Sequence, residues 1–420
     1  MKSILLIISI VFCGVANAQY TKLLDFSLVT NAITPKGPLI SDGTFLYGMT
    51  TDGGVNDLGV IFKVKTDGTG YLEILHFAGV SNGSSPYGSL ISDGTFLYGM
   101  TGNGGSYGYG TVFKIMHDGT GYVKLLDFNK WTNGSYPLGS LISDGVFLYG
   151  MTSEGGVSNY GTIFKIMTNG TGYIKLKDFV GIPDGSYPNG ALIFDGTFLY
   201  GTTSSGGING MGMLFKITPN GTGFLSLLDF DANITGIIPT GPPVFDGTYL
   251  CGTTSLGGTN GSGTIFKIMP NGTGYAKIMD FDGVTNGSYP LASLIYDGVY
   301  LYGMTLSGGI NNLSTIYKYE DNNITTVDEN NMETCFTIYP NPSSGEISIH
   351  ATRKDQYKIE IYNVLGKLVY RKISNLGEQM SNAGNSNSES VNLSSESNGV
   401  YFVNIKTEKG TVTKKIIINK

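Results

Sequence analysis

The dipeptide Asp-Gly returns every 51 residues, at Asp42, Asp93, Asp144, Asp195, Asp246 and Asp297, and its surroundings keep the same step. Proline recurs at Pro35, Pro86, Pro137, Pro188, Pro239 and Pro290. The second glycine of a Gly-Gly pair recurs from Gly54 to Gly309, and an aromatic followed by lysine from Phe62-Lys63 to Tyr317-Lys318. A period kept through six copies without drift describes one supersecondary unit that buries its apolar faces only by stacking on its neighbours.

Residues 137–179 show the unit. A short strand over 139–142 leads into Asp144-Gly145, read as a two-residue hairpin with a type I′ turn. Phe147, Tyr149 and Met151 alternate along a second strand over 147–152. A glycine-rich loop over 153–161 precedes a third strand over 162–167. Asn169-Gly170-Thr171-Gly172 turns the chain into a fourth strand over 173–179. The 63 glycines serve such turns, and 12% aromatic content can fill a core despite only 14% charged residues. Four antiparallel strands in each of six units predict an all-β fold, a six-bladed β-propeller over residues 19–320. The ends of the array agree with this. Residues 20–26 form a lone fourth strand and the sixth copy has only its first three, so the N-terminal strand is expected to close the last blade.

The stretch 195–207, DGTFLYGTTSSGG, followed by MLFKI at 213–217, resembles the tandem repeats called GloVer, which occur in bacterial surface proteins with various anchors. The likeness covers about residues 20–320. It implies an exported protein and brings no activity.

The period stops after Asp321. Residues 321–333 read as a polar linker, and 334–420 as a small β-sandwich of alternating strands. Residues 380–397, rich in Ser and Asn, read as a mobile loop. Pro340-Asn341-Pro342, Gly399-Val400-Tyr401, and a basic, aliphatic final strand with Lys414, Lys415 and Lys420 resemble the type A C-terminal sorting domain of type IX secretion cargo. That resemblance implies the type IX secretion machinery as partner, passage across both membranes, and removal of the domain at the outer surface or on release.

At the N-terminus, Lys2, an apolar run over 4–12 and Ala16-Asn17-Ala18 form a signal-peptide pattern over 1–18 with cleavage after Ala18. Phe12 stands before Cys13 where a lipoprotein needs a small residue. No later run approaches 18 apolar residues, so the mature chain is expected to carry no transmembrane segment. The remaining Cys251 and Cys335 fall in different predicted domains and read as two buried thiols.

Residues 19–321 carry 14 Lys, no Arg and 22 acidic residues, a net of −8. No basic stripe suits phosphate, so nucleic acid is excluded as a partner. His76, His117 and His350 have no zinc-spaced partners. The Asp of Asp-Gly reads as turn chemistry rather than a metal site, and no cofactor is expected. The ring Lys63, Lys114, Lys165, Lys216, Lys267 and Lys318 reads as a solvated face partly paired with Asp on the neighbouring strand. His76 stands where other copies have Asp127, Asp178, Asp229 and Asp280.

The longer loops all fall on one face, where the residue before the repeated proline varies. Tyr136, Tyr187 and Tyr289, with Tyr107, Tyr109 and Trp131 nearby, suit stacking on sugars or packing on a partner protein. They equally suit covering the mouth of the channel. The expected function is non-catalytic binding or adhesion at the cell surface or in the medium, with a glycan or surface protein as ligand. The alternatives are a polysaccharide-acting propeller enzyme and a structural surface protein.

Overall fold

The structure is a computed structural model. It describes residues 22–24, 26, 32–239, 241–320, 336–341, 343–351, 357–363, 368–374, 388–407 and 410–419. The expected signal peptide, the linker and most of the N-terminal strand lie outside the described residues, as do Cys335, Pro342 and Lys420. Every helix or strand element among the described residues is a strand. The chain divides into two compact units, Met1–Tyr296 with Tyr302–Lys318, and Asp297–Leu301 with Tyr319–Lys420.

In the first unit the repeats fold into successive small antiparallel sheets, each of the first five with four strands in chain order plus an extra short strand in the first and fifth. In the third copy the order is Ile142–Ser143, Phe147–Thr152, Thr162–Met167 and Ile174–Asp178. The two middle strands of this copy are buried on both faces because its sheet lies between those of the second and fourth copies, which is why Thr162–Met167 is nearly continuously apolar. Tyr98, Met100 and Val112 of the second copy meet Leu141, Leu148, Phe164 and Ile166 of the third. Tyr149, Met151 and Ile163 meet Leu192, Leu199, Phe215 and Ile217 in the same way. An edge-to-face aromatic pair marks each junction, Phe77 with Phe113 at 5.6 Å, Phe128 with Phe164 at 5.3 Å and Phe230 with Phe266 at 5.3 Å.

The first strand is shorter than expected. Its N-terminal half packs backbone on backbone against the next copy: a Cβ on Gly139 would lie 2.2 Å from the Gly190 carbonyl oxygen. Such approach leaves no room for a side chain and no free edge for a ladder. The hairpin also differs from the expected type I′. Asp144 closes the turn, its N–H donating to the Phe147 carbonyl at 3.2 Å. Gly145 is the first central residue, with φ +93°, and Val146 has no positive φ. That is the sign pattern of type II′.

Four lysines of the ring reach a backbone carbonyl of the next copy instead of the Asp expected on the neighbouring strand. Lys63, Lys114, Lys165 and Lys216 each donate to a carbonyl 54 residues on, in a turn of the next copy, at 3.1, 3.2, 2.8 and 3.0 Å. Each ammonium also lies over an aromatic ring of its own copy, Lys165 over Phe147 at 4.5 Å. These lysines staple consecutive sheets together.

The sixth sheet has three strands, Ile295–Tyr296, Tyr300–Met304 and Ile316–Glu320. Ile316 is 82% exposed, whereas Ile61, Val112, Ile163, Leu214 and Ile265 in the same position are fully buried. Met304 is 52% exposed, against 2–3% for Met49, Met100 and Met151. Leu23 and Phe26 nevertheless hold the place of a preceding fourth strand. Phe26 meets Phe62 edge to face at 5.2 Å. A Cβ on Gly68 would lie 2.7 Å from the Leu23 carbonyl oxygen, as one on Gly119 would lie 2.6 Å from that of Ile74.

The C-terminal unit is a sandwich. One sheet comprises Phe336–Tyr339, Glu346–Ala351 and Ser388–Asn392. The other runs Leu368–Ser374, Tyr357–Asn363, Gly399–Thr407 and Gly410–Ile418. A shared core includes Ile347, Ile349, Ile359, Ile361, Val391, Val403 and Ile405. Ser388–Asn392 corrects the loop expected over 380–397: Val391 and Leu393 alternate with polar neighbours, and that period buries them both.

Candidate ligand-binding face

The Asp-Gly face is structural. In the third copy Asp144 Oδ1 accepts from the Val146 and Phe147 amides at 2.9 and 2.7 Å, and Oδ2 from the Tyr149 hydroxyl at 2.7 Å. Burial pushes the Asp144 carboxyl up, but the Phe147 amide, the Tyr149 hydroxyl and the Val146 amide together outweigh it and hold it below the ordinary range. Asp42 and Asp93 are held low by the same balance. Cys251 replaces the tyrosine in the fifth copy, fully buried, with Sγ 3.7 Å from Asp246 Oδ2. A carboxylate with a depressed folded pKa contributes stability that is fully present above its unfolded value, about 3.9. That stability is lost as pH falls through the folded value. The thermal midpoint is therefore expected to hold level down to about pH 4 and then to decline. Asp144→Asn, which keeps an acceptor for the amides, should lower the plateau and flatten the decline; a calorimetric pH series checks both.

The opposite face carries the longer loops. Gly156 has φ +75°, and a Cβ there would lie 2.3 Å from Asp178 Oδ1. Asp178 reaches that close to accept from the Val157 amide at 3.1 Å. Asp127, Asp229 and Asp280 hold the amides of Ser106, Ile208 and Thr259 in the same way, at 2.9, 2.8 and 2.9 Å. Lys124, Lys175 and Lys277 pair with Asp127, Asp178 and Asp280 three residues on. In the first copy His76 Nδ1 accepts from the Val55 amide at 3.3 Å, and Glu73 replaces the lysine. Restoring the pair with Glu73→Lys and His76→Asp together is expected to raise stability by about 0.5–1 kcal/mol. His76→Asp alone sets two carboxylates side by side and should gain less, which urea denaturation of both variants would measure.

The residue before each proline sits in the left-handed region: Thr34, Ser85, Tyr136, Tyr187, Ile238 and Tyr289 have φ between +50° and +59°. Two backbone bonds hold it there. The Tyr136 amide donates to the Tyr109 carbonyl at 3.1 Å, and its own carbonyl accepts from the Ser153 amide at 3.0 Å. The most variable side chain of the repeat thus stands on its most constrained backbone.

Three of the candidate residues, Tyr109, Trp131 and Tyr136, come together at the second and third copies. Tyr109 and Tyr136 pack edge to face at 6.1 Å. Lys130 Nζ lies 5.0 Å from the Trp131 ring and 5.8 Å from that of Tyr109. Trp131 is 62% exposed, and Tyr107, on the loop of Tyr109, is 61% exposed. Tyr187 belongs to the next junction, edge to face with Tyr160 at 5.7 Å. Tyr289 lies in the sixth copy, where Ser262 replaces the partner tyrosine. Sequence reasoning missed Tyr160, one period after Tyr109, and Lys130, where Gly79, Gly181 and Gly283 stand in other copies.

In the C-terminal unit the motif residues converge. Asn341 donates to the Lys415 carbonyl at 3.0 Å and accepts from the Ile417 amide at 2.9 Å. Tyr401 pairs with Ile416 across the ladder, and its hydroxyl donates to the Ser397 carbonyl at 2.7 Å. Gly399 faces Ile418 and Val403 faces Lys414. Three motifs far apart in sequence thus build one edge around the final strand.

A family model described as the Gloeobacter/Verrucomicrobia repeat matches residues 10–197 and 194–341. A second, the secretion system C-terminal sorting domain, matches residues 337–419. No curated protein matches the chain. Among solved structures, a hypothetical selenium-binding protein from Sulfolobus tokodaii is similar at 10% identity and TM-score 0.46, over 88% of this chain and 79% of that one. A quinonprotein alcohol dehydrogenase-like protein from Bacteroides thetaiotaomicron aligns at 13% identity and TM-score 0.41, over 79% and 76%. The extracellular domain of a one component system from B. thetaiotaomicron aligns at 11% identity and TM-score 0.40, over 89% of this chain and 47% of that one. The chain spans about half the length of that last structure.

Proposed function

The chain belongs to the Gloeobacter/Verrucomicrobia repeat family and ends in a type IX C-terminal sorting domain, and on that premise we propose an exported, non-catalytic binding or adhesion protein. It works at the outer cell surface or in the medium, and its ligand is a glycan or a surface protein. The observation that carries this reading is the aromatic group of exposed Tyr107 and Trp131 with half-buried Tyr109 and Tyr136 on amide-anchored loops. Aromatic groups held rigidly in solvent lose little conformational freedom on binding. The sorting domain serves delivery by the type IX secretion machinery.

In the same reading the six sheets are blades of a propeller, and the N-terminal strand pairs with Ile316–Glu320 to seal it. The support is the placement of Leu23 and Phe26 against the first sheet, together with the apolar sixth face that awaits a cover. A second reading, a structural surface protein, draws on that same face and on the exposed loop-tip aliphatics Val55, Val157, Ile208 and Ile310. The test is a glycan array with the purified chain, repeated with Trp131→Ala and Tyr136→Ala. Binding lost in both variants supports recognition. Glycan turnover would make the protein a polysaccharide-acting enzyme, and concentration-dependent assembly without binding would favour the structural role.

A further inference from the structure

The second copy breaks the repeat's own rules at one place: one departure gives up a hydrogen bond and another strains the backbone. Where Tyr107 stands, the first, fourth and fifth copies have Asn56, Asn209 and Asn260. Those side chains tie the loop down by donating to the carbonyls of Phe77, Phe230 and Phe281 at 2.8, 3.1 and 3.2 Å. Where Lys130 stands, three copies have Gly79, Gly181 and Gly283 with φ of +69°, +87° and +78°; Lys130 keeps φ +70°. It is held there by its amide, donating to Gly134 O at 2.9 Å, and its carbonyl, accepting from Gly156 N–H at 2.7 Å. A lysine in that conformation strains a position the fold gives to glycine. The next residue, Trp131, is the single tryptophan of the chain. Departures from a local rule that strain or loosen the fold mark functional positions.

The chemistry of the three side chains is specific. Trp131 and Tyr107 offer exposed aromatic surface, and Lys130 Nζ lies over the Trp131 ring, 5.0 Å from its centroid. Among the described residues Lys130 forms no ion pair, so its charge is available to a ligand. Exposed aromatic surface with a cation over one ring matches a sugar whose C–H face stacks on the open surface while its carboxylate or sulfate meets the ammonium. The repeat region as a whole, net −8 over residues 19–321, repels densely charged polyanions. One cation in such a field suits a glycan with well-spaced acidic sugars.

We propose that the loops over 104–110 and 128–136 bind an acidic glycan, with Trp131 and Tyr107 as the stacking surface and Lys130 as the anion contact. The proposal rests on the binding reading above and narrows it. It is tested by calorimetry on the full chain with four probes: a neutral galactan oligosaccharide, oligogalacturonate, a sulfated galactan oligosaccharide and a Glu-rich peptide. An acidic sugar should bind about tenfold more tightly than the neutral one. Lys130→Gly and Tyr107→Asn restore the repeat's own residues, so both should raise the melting temperature while losing that preference. Lys130→Arg should keep it. Preference for uronate or for sulfate identifies the acidic group and supports the site either way. Equal binding of neutral and acidic sugars, unmoved by Lys130→Gly, overturns the proposal and leaves the wider binding reading standing. Binding of the peptide alone overturns it in favour of a protein partner. Wild-type protein that binds none of the four overturns the proposal, and an array that is also blank removes the reading beneath it.

Discussion

Replacing Ile316 by aspartate is expected to lower the unfolding midpoint by several degrees, through a loss of about 3 kcal/mol or more. The five residues at the same position of the repeat are fully buried against the next sheet, whereas Ile316 is 82% exposed. If the first and sixth copies seal in solution, the substitution buries a carboxylate in an apolar junction that offers it no partner. The charge then either disrupts the seal or is neutralised, and both outcomes cost stability. If the sixth face stays open, the side chain remains in water and the change should stay within about 0.5 kcal/mol. Phe26→Ala is the companion. Phe26 covers Phe62 from the place of a preceding fourth strand, so in a sealed ring its loss should weaken the same junction and couple to Ile316→Asp. Denaturation of the two single variants and the double provides the cycle. Additive or negligible effects would take the ring away.

Phe164→Ala is expected to cost about 3–5 kcal/mol. Phe164 is fully buried, edge to face with Phe128 at 5.3 Å and stacked on Tyr173 at 6.0 Å. Its ring also presses on Gly150, where a Cβ would come within 2.7 Å. Glycine stands there so that the ring can cross the neighbouring strand. Removing the ring leaves a cavity that rigid sheets on either side cannot close, so the cost should lie toward the upper end. In a stack whose stability is a sum of neighbouring interfaces, a weakened junction should also split unfolding into two steps. Calorimetry would show a broadened or doubled transition, and a single sharp transition with a small shift would contradict it.

Much of this was legible from residues alone, and the reasons are local. The bounds of Phe147–Thr152 and Thr162–Met167 follow from alternation and from turn residues at a fixed period. Turn chemistry at Asp144 was legible too, because a side chain that bonds the next two or three amides needs nothing distant. The aromatic face could be read as a set of positions, since tyrosines before a repeated proline share one loop. The lysine ring could not. Its partners lie 54 residues on, in a turn of the next copy, and no window of sequence holds both ends of that contact. Nor could the left-handed backbone at Tyr136, which is held by a loop of the preceding copy.

Sequence by itself determined the unit, its strands, the loop face and the sorting motifs, because each is fixed by short-range periodicity or by turn residues acting on their own backbone. Tertiary structure alone decided which positions meet. It joined Lys130, Trp131, Tyr109 and Tyr136 across two copies, bound Asn341 to the final strand, and turned a row of like charges into staples between sheets. The physical reason is that stacking brings together groups about one period apart, and the energy of those contacts depends on a separation that the order of residues does not contain.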